Sequence, residues 1–488
     1  MKLHERIFEL ALTRSFFYPS NEPYDAPGGF YDYGPVGTLL KKKVQNLWRR
    51  MFIKKHGYHE IEGTIITPEM ILKASGHVDG FADPIAECKN CKTKVRADSF
   101  VADNVNGFEW DGTLPSLDKE LKNLKCPSCK GEFAPAKMFN LMFSTGIGGE
   151  ETPAYCRPET AQGIFTAFPR LFRNHGAKLP LAVGQIGRSF RNEISPRKGL
   201  VRMREFTQME LEYFFNPDES SISEFSEISK KKMRFSVNGK ILEKTIGEAV
   251  KDKTIPNEIM GYFIALEWDY YLACGIPEKN MYFRVLPDTE TPHYSKRNID
   301  LEVETSYGVI EVNGNAYRTD FDLSRHSEFS GKDFSVFVEK EKRKIMPHVF
   351  EASLGVDRLL FSILENTFRE KTKEKDWEWF DFPPAVAPYH CAIFPLMKKE
   401  GLPEKAKEVY DSLLAHFDVL YQESGSIGRR YARADEIGTP YAITVDYDTL
   451  KDDTVTLRYR NDGKQERIKI PELEKKLHDD ILKNKVKM

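Results

Sequence analysis

The sequence predicts an α+β protein with a separate α/β domain at its C-terminus. Three observations lead there. Loosely alternating runs, Gln185-Ile186-Gly187-Arg188-Ser189-Phe190 and Leu211-Glu212-Tyr213-Phe214-Phe215, flank the basic bend Ser195-Pro196-Arg197-Lys198-Gly199-Leu200-Val201-Arg202, as in a hairpin with a long tip. Two cysteine knuckles, Cys88-x-x-Cys91 and Cys126-x-x-Cys129, interrupt the first half of the chain. Strand and helix patterns then alternate over residues 387–488.

At 488 residues the chain has the length of about three domains. Hydrophobic residues make up 40% and charged residues 30%, an ordinary globular composition that can bury a sizeable core. A net charge of -2 gives no bulk support for a nucleic-acid partner, so such a contact must come from local basic patches. No apolar run approaches the roughly 18 residues of a membrane helix. Glu5 and Glu9 fall in the first turns, without a cleavage site, so the expectation is a cytoplasmic protein with no membrane partner.

Leu3, Ile7 and Leu10 share one helical face and predict an opening helix. After a Gly- and aromatic-rich turn, Leu40, Val44, Leu47, Trp48 and Met51 stripe a long helix ending at Gly57. Ile65-Ile66-Thr67-Pro68 follows as a strand closed by proline. These elements form the first part of a core, residues 1–84, and the knuckles form an insertion at 85–134. The core resumes at 135–215 with the hairpin. Residues 216–280, Ser- and Lys-rich and then apolar through Tyr262 to Tyr271, suggest a second, helical insertion. The core returns at 281–386, and charged residues before Pro383-Pro384 mark its end. In the last domain, His390 to Phe394, Tyr441 to Val445, Thr454 to Leu457 and Arg467 to Ile470 predict strands of a mixed sheet. Ala406, Val409 and Leu413, then Leu473, Leu477 and Ile481, predict its helices.

Two C-x-x-C knuckles supply four thiolates for tetrahedral zinc, with lysines nearby to offset their charge. That reading is preferred to a degenerate ribbon or a redox pair. Cys156, Cys274 and Cys391 stand alone and suit buried, inert thiols. On the hairpin, Arg191-Asn192-Glu193 and Arg204-Glu205-Phe206-Thr207-Gln208-Met209-Glu210 present arginines, a carboxylate and an aromatic ring from one element. A nucleoside triphosphate needs that set: guanidinium forks for phosphate, an acceptor for an exocyclic amine, and a face to stack on. Glu351-Ala352-Ser353-Leu354-Gly355-Val356-Asp357-Arg358 predicts a strand, a glycine that permits close approach, and a helix start carrying an arginine, all favourable to polyphosphate.

With these segments assembled, the chain resembles the class II aminoacyl-tRNA synthetases. The long helix, the strand and Pro68 resemble motif 1, a dimer-interface element; the hairpin resembles motif 2, and Gly355 to Arg358 motif 3. Within the class it resembles the dimeric glycyl family, through Tyr31-Asp32-Tyr33-Gly34-Pro35-Val36-Gly37, Arg157-Pro158-Glu159-Thr160-Ala161-Gln162-Gly163, Phe190 to Arg197 and Glu351-Ala352-Ser353. Ser353 stands where the class usually has the first glycine of motif 3, as glycyl enzymes commonly do.

The resemblance covers essentially the whole chain. It implies an antiparallel-sheet catalytic core with zinc-ribbon-like and helical insertions, and an anticodon-binding domain at 387–488. It also implies activation of glycine by ATP with Mg2+, transfer of glycine to the terminal adenosine of tRNA(Gly), and a homodimer. Arg191 and Arg358 are the implied catalytic residues. Arg191 holds the α-phosphate, Glu193 the adenine amino group, Phe206 the adenine ring, and Arg202 and Arg358 the outer phosphates. Glu311 lies by ATP and magnesium. The matched runs add Asn192, Val201, Met203, Arg204, Glu205, Val312, Gly355, Val356 and Asp357 on the ATP side. The glycine pocket takes Glu159, Glu210, Glu351 and Ser353, with Phe206, Thr207, Gln208, Met209, Ala352, Leu354 and Gly355 in the same runs and Arg96 as a substrate-side arginine. The metal ligands are Cys88, Cys91, Cys126 and Cys129. A non-catalytic, nucleic-acid-binding relative would be free to lose the arginines and carboxylates, and all are present. The Glu159 segment and Glu351-Ala352-Ser353 argue against a synthetase for threonine, proline or histidine.

Overall fold

Alternation along the hairpin strands dictates the architecture: one face is apolar and must be covered, the other carries the charged residues. The computed structural model describes residues 1–24, 27–148, 152–194, 196, 198–373 and 375–483. Ser195 and Arg197 of the expected hairpin tip lie outside the described residues. Among the described residues, nine strands form the central sheet: β1 (His59–Ile61), β2 (Leu181–Phe190), β3 (Glu205–Phe215), β4 (Lys232–Val237), β5 (Lys240–Thr245), β6 (Met281–Val285), β7 (Arg297–Thr305), β8 (Gly308–Thr319) and β9 (His348–Gly355). Their order is β5-β4-β6-β7-β8-β9-β3-β2-β1. The six strands from β6 to β2 run antiparallel, and only β4 against β6 and β1 against β2 are parallel.

The back of the sheet buries Met209, Leu211, Ala352 and Leu354. It is covered by α1 (Pro35–Trp48), the predicted striped helix, and by α2 (Glu258–Ala273). Helix α2 is apolar all round, the mark of a buried helix; Phe263 stacks on Phe350 with centroids 5.1 Å apart. The helix expected in 216–280 is found as α2, but the segment is not helical throughout: β4 and β5 extend the central sheet. The lysines of β4 and β5 lie on an exposed edge hairpin, so their composition imitates a loop.

On the front, the helix Ala161–Asn174 lays Phe168 on Phe214 at 4.5 Å and closes one end. Helix α3 (Val356–Thr367) starts directly from β9. The knuckle region has its own small core, including Val101, Leu117, Leu121 and Phe133. Its sheet spans Ala82–Glu87, Lys94–Arg96 and Lys137–Asn140, slightly wider than expected because strands this short show no legible alternation. C-terminal to the core, Cys391–Pro395 lies between Val419–Tyr421 and Tyr441–Val445 in a five-stranded mixed sheet and runs parallel to both. No helix of the described residues is long and apolar enough to cross a membrane.

Candidate active site

Strand alternation brings the polar residues of β3 and β9 to one face. Phe206, Gln208 and Glu210 of β3 and Glu351, Ser353 and Gly355 of β9 line a cavity of about 320 Å3 on the front of the sheet. Glu159, Arg191, Glu193, Val201, Arg202, Met203, Thr207, Glu311, Val312, Asp357 and Arg358 complete most of its wall. A methyl group added at Gly355 would meet no protein atom closer than 3.8 Å, so the space that this glycine leaves open is real. Gly199, at the hairpin tip, has φ +53° and a Cβ there would collide with Phe8, so only glycine lets the opening helix close on the loop.

The cavity has two unlike halves. At one end sit carboxylates. Glu210 accepts from the Thr160 backbone at 2.9 Å, the Thr160 hydroxyl, Gln208 Nε2 at 2.8 Å and Ser353 Oγ at 2.6 Å. Glu159 accepts from Gln162 at 2.9 Å and faces His77 Nε2 at 3.3 Å. Glu351 accepts from Arg318 at 2.9 Å. Burial and the neighbouring carboxylates push the Glu351 carboxyl up to about 8 against the pull of Arg318. Burial and Glu159 also raise Glu210. Burial alone would raise Glu159 as well, but His77 and Arg318 draw it below the carboxylate range. Glu212, directly opposite Glu351 on the adjoining strand, is raised well above that range by burial and by Glu351. The end as a whole has an excess of acid that an ammonium group would balance.

The other half is lined by arginines. Arg191 lies 5.4 Å from the Phe206 ring centroid. Arg202 pairs with Glu193 at 2.6 Å, and Arg358 donates to the carbonyls of Val201 at 3.1 Å and Glu311 at 2.9 Å. Asp300 borders this half beside Glu311, and burial together with Glu311 and Glu302 raises its carboxyl to about 8.

Several expected residues stand elsewhere. Met209, Ala352 and Leu354 point into the core behind the sheet, and Val356 is likewise buried. Glu205 pairs with Arg188, and Arg204 binds the Gly28 and Glu193 carbonyls. The backbone N–H of Asn192 donates to Leu141, and the Asn192 side chain does not line the cavity. Arg96 is held by Asp83 and Asp98 on the knuckle insertion, outside the cavity wall. Asp357 does reach the cavity wall, where it accepts from Thr207 N at 2.6 Å, Lys41 Nζ at 3.1 Å and the Tyr33 hydroxyl, tying α1, β3 and α3 together.

Sequence reasoning missed Arg318, which is buried and holds Asp322 at 2.6 and 2.8 Å besides Glu351. Tyr294, whose ring centroid lies 4.0 Å from its guanidinium, was missed too. No motif flags these two; only strand register places Arg318 beside Glu351.

In the knuckle insertion the four Sγ atoms lie within 4.8 Å of one another, with Cys88 to Cys129 at 3.5 Å and Cys91 to Cys126 at 3.6 Å. Thiolates bonded to tetrahedral zinc at about 2.3 Å are separated by about 3.8 Å, so the donor set fits that ion. Both knuckles turn alike: Lys92 N donates to Cys88 O and Lys130 N to Cys126 O, with φ of +60° and +62°.

These features define the class. The family model described as the tRNA synthetase class II core domain (G, H, P, S and T) matches residues 148–367, and that of the anticodon binding domain matches residues 390–480. Curated relatives narrow it. A glycine–tRNA ligase of Methanocaldococcus jannaschii is 38% identical over 96% of this chain and 98% of its own. Those of Methanothrix thermoacetophila and Methanothermobacter thermautotrophicus are 38% and 37% identical, over 96% of this chain and 95% and 98% of theirs. The chain belongs to the glycine–tRNA ligase family.

Proposed function

We propose that the two halves of the cavity bind glycine and ATP side by side and join them, in the reaction of the family. The glycine carboxylate attacks the α-phosphorus in line. A carboxyl–phosphate bond forms, the bond to the β-phosphate oxygen breaks, and pyrophosphate leaves. The terminal adenosine hydroxyl of tRNA(Gly) then attacks the activated carbonyl and expels AMP. No protein nucleophile is needed, so catalysis is positioning plus charge stabilisation. The observation that carries this reading is the convergence of three glutamates, the buried Glu210 and Glu351 and the partly buried Glu159, next to an arginine-lined half of the same cavity.

Glycine offers only an ammonium and a carboxylate, so the acidic end reads the ammonium and the filled wall refuses a larger side chain. Arg191 takes the α-phosphate and Phe206 the adenine face. Arg202 and Arg358 take the outer phosphates, with Arg202 released from Glu193 as Glu193 turns to the adenine amine. Glu311 with Asp300 suits Mg2+, since the Asp300 carboxyl, raised by burial and by Glu311, would be relieved by a cation beside it. Bound there, Mg2+ supplies positive charge to the phosphate oxygens. Zinc in the four-cysteine site would hold the insertion together. A second copy of the chain is the proposed partner for α1 and the neighbouring apolar groove, where Ile65, Ile66 and Ile147 are about 40% exposed. A tRNA partner suits action in the cytoplasm.

The test is Arg191→Ala in glycine-dependent ATP–pyrophosphate exchange. Loss of exchange by orders of magnitude in a folded protein supports the assignment, and near-normal exchange refutes it.

A further inference from the structure

Strand β8 changes face midway. Towards its end, Gly314 lines the cavity and Arg318 reaches Glu351, while Asn315 turns to the back and meets Glu267. Strict alternation from there would send Glu311 to the back and Ile310 to the cavity. The opposite is found: Glu311 lines the cavity and Ile310 is buried in the core. The cause is one extra residue. Leu301 pairs with Asn313, yet the next residue, Glu302, pairs with Glu311, so Val312 has no counterpart on β7. This is a β-bulge, a device that re-aims a side chain and opens the ladder locally.

Both sides of the bulge are gripped. From the back, the hydroxyl of Tyr271 on α2 donates to the Val312 carbonyl at 3.2 Å in a buried bond. From the front, Arg358 Nη1 donates to the Glu311 carbonyl at 2.9 Å. One turn before Tyr271, Glu267 accepts from Asn315 Nδ2 at 2.8 Å, so α2 holds β8 beyond the bulge as well. Burial keeps the Tyr271 hydroxyl well above the usual phenol range, and it remains a donor.

We infer that Tyr271 is a positioning residue for ATP activation: from behind the sheet its hydroxyl fixes the Val312 bulge that turns Glu311 into the cavity beside Arg358. This rests on the reading that the arginine-lined half takes ATP. It predicts an effect confined to one substrate, although Tyr271 touches neither.

The test is Tyr271→Phe, which removes one oxygen and leaves the ring packing intact, in glycine-dependent ATP–pyrophosphate exchange. The ATP KM is expected to rise about three- to tenfold, the value of one buried hydrogen bond, with the glycine KM unchanged. Tyr270→Phe is the control: its hydroxyl is also buried, but donates to Val44 on α1 at 3.1 Å. It should lower the unfolding midpoint similarly and leave the ATP KM alone. Combined with Glu311→Gln, Tyr271→Phe should be less than additive, because both act through one group. An unchanged ATP KM in Tyr271→Phe overturns the inference. So does an equal rise in Tyr270→Phe, or full additivity with Glu311→Gln. If Glu311→Gln alone leaves the ATP KM unchanged, the ATP reading of that half fails and this inference falls with it.

Discussion

Glycine affinity should depend on pH through Glu351. In the free protein its carboxyl is pushed up to about 8, chiefly by burial and then by Glu210, Glu159 and Asp322, with Arg318 pulling the other way. An ammonium group placed against it stabilises the ionised form, so binding must expel the proton. With a free value of about 8, about one molecule in eleven is ionised at pH 7 and about half at pH 8. If the bound value falls well below 7, the glycine KM drops about fivefold between those two pH values. Glycine itself keeps its ammonium throughout this window. Folding stability should run in the opposite sense: a carboxyl raised in the folded state stabilises the free protein below its unfolded value, and that contribution is lost as pH rises through 8. The assay is glycine-dependent ATP–pyrophosphate exchange at saturating ATP from pH 6 to 9, on the wild type and on Glu351→Gln. The variant should have a higher glycine KM and a flat profile across the window. A wild-type glycine KM that is flat or rises between pH 7 and 8, or an unchanged slope in Glu351→Gln, would refute the reasoning.

Glu159→Gln should weaken glycine about ten- to 150-fold, the worth of a hydrogen bond to a charged group, with the ATP KM little changed; unchanged glycine constants in the same assay would remove Glu159 from the pocket. Purified without chelator, the protein should carry about one zinc per chain by elemental analysis, and Cys126→Ser should release it; metal-free protein would count against the site. Arg429→Ala combined with Arg433→Ala should weaken tRNA aminoacylation while leaving exchange intact; unaltered aminoacylation kinetics would exclude that face as the anticodon contact.

Much of the site was legible because its chemistry is local in sequence. The hairpin bears Arg191, Glu193, Phe206 and Glu210 within one element, and Gly355 to Arg358 is a strand-to-helix step that composition announces. The knuckles likewise identify themselves by spacing. Alternation could also have sorted the glycine-side residues: Met209, Ala352 and Leu354 are apolar at the positions facing the core, whereas a matched run treats all its members alike. Arg318 was illegible because its partners, Glu351 and Asp322, meet it only through the pairing of β8 with β9 and the following helical turn. The β4–β5 hairpin hid behind a surface composition of lysine and serine. In the basic run from Arg429 to Arg433, Arg430 is buried on the Pro395 and Leu396 carbonyls and Tyr431 bonds Thr444, so helical period sends these two inward. The bulge at Val312 has no sequence mark, since it is a property of register.

The central claim is that one cavity couples glycine, and no larger amino acid, to ATP. The most direct measurement is ATP–pyrophosphate exchange by the wild-type protein with glycine, alanine, serine, threonine, proline and histidine each supplied alone. The account predicts exchange with glycine and little or none with the others. Exchange supported equally by another of these amino acids, or by none, would contradict it.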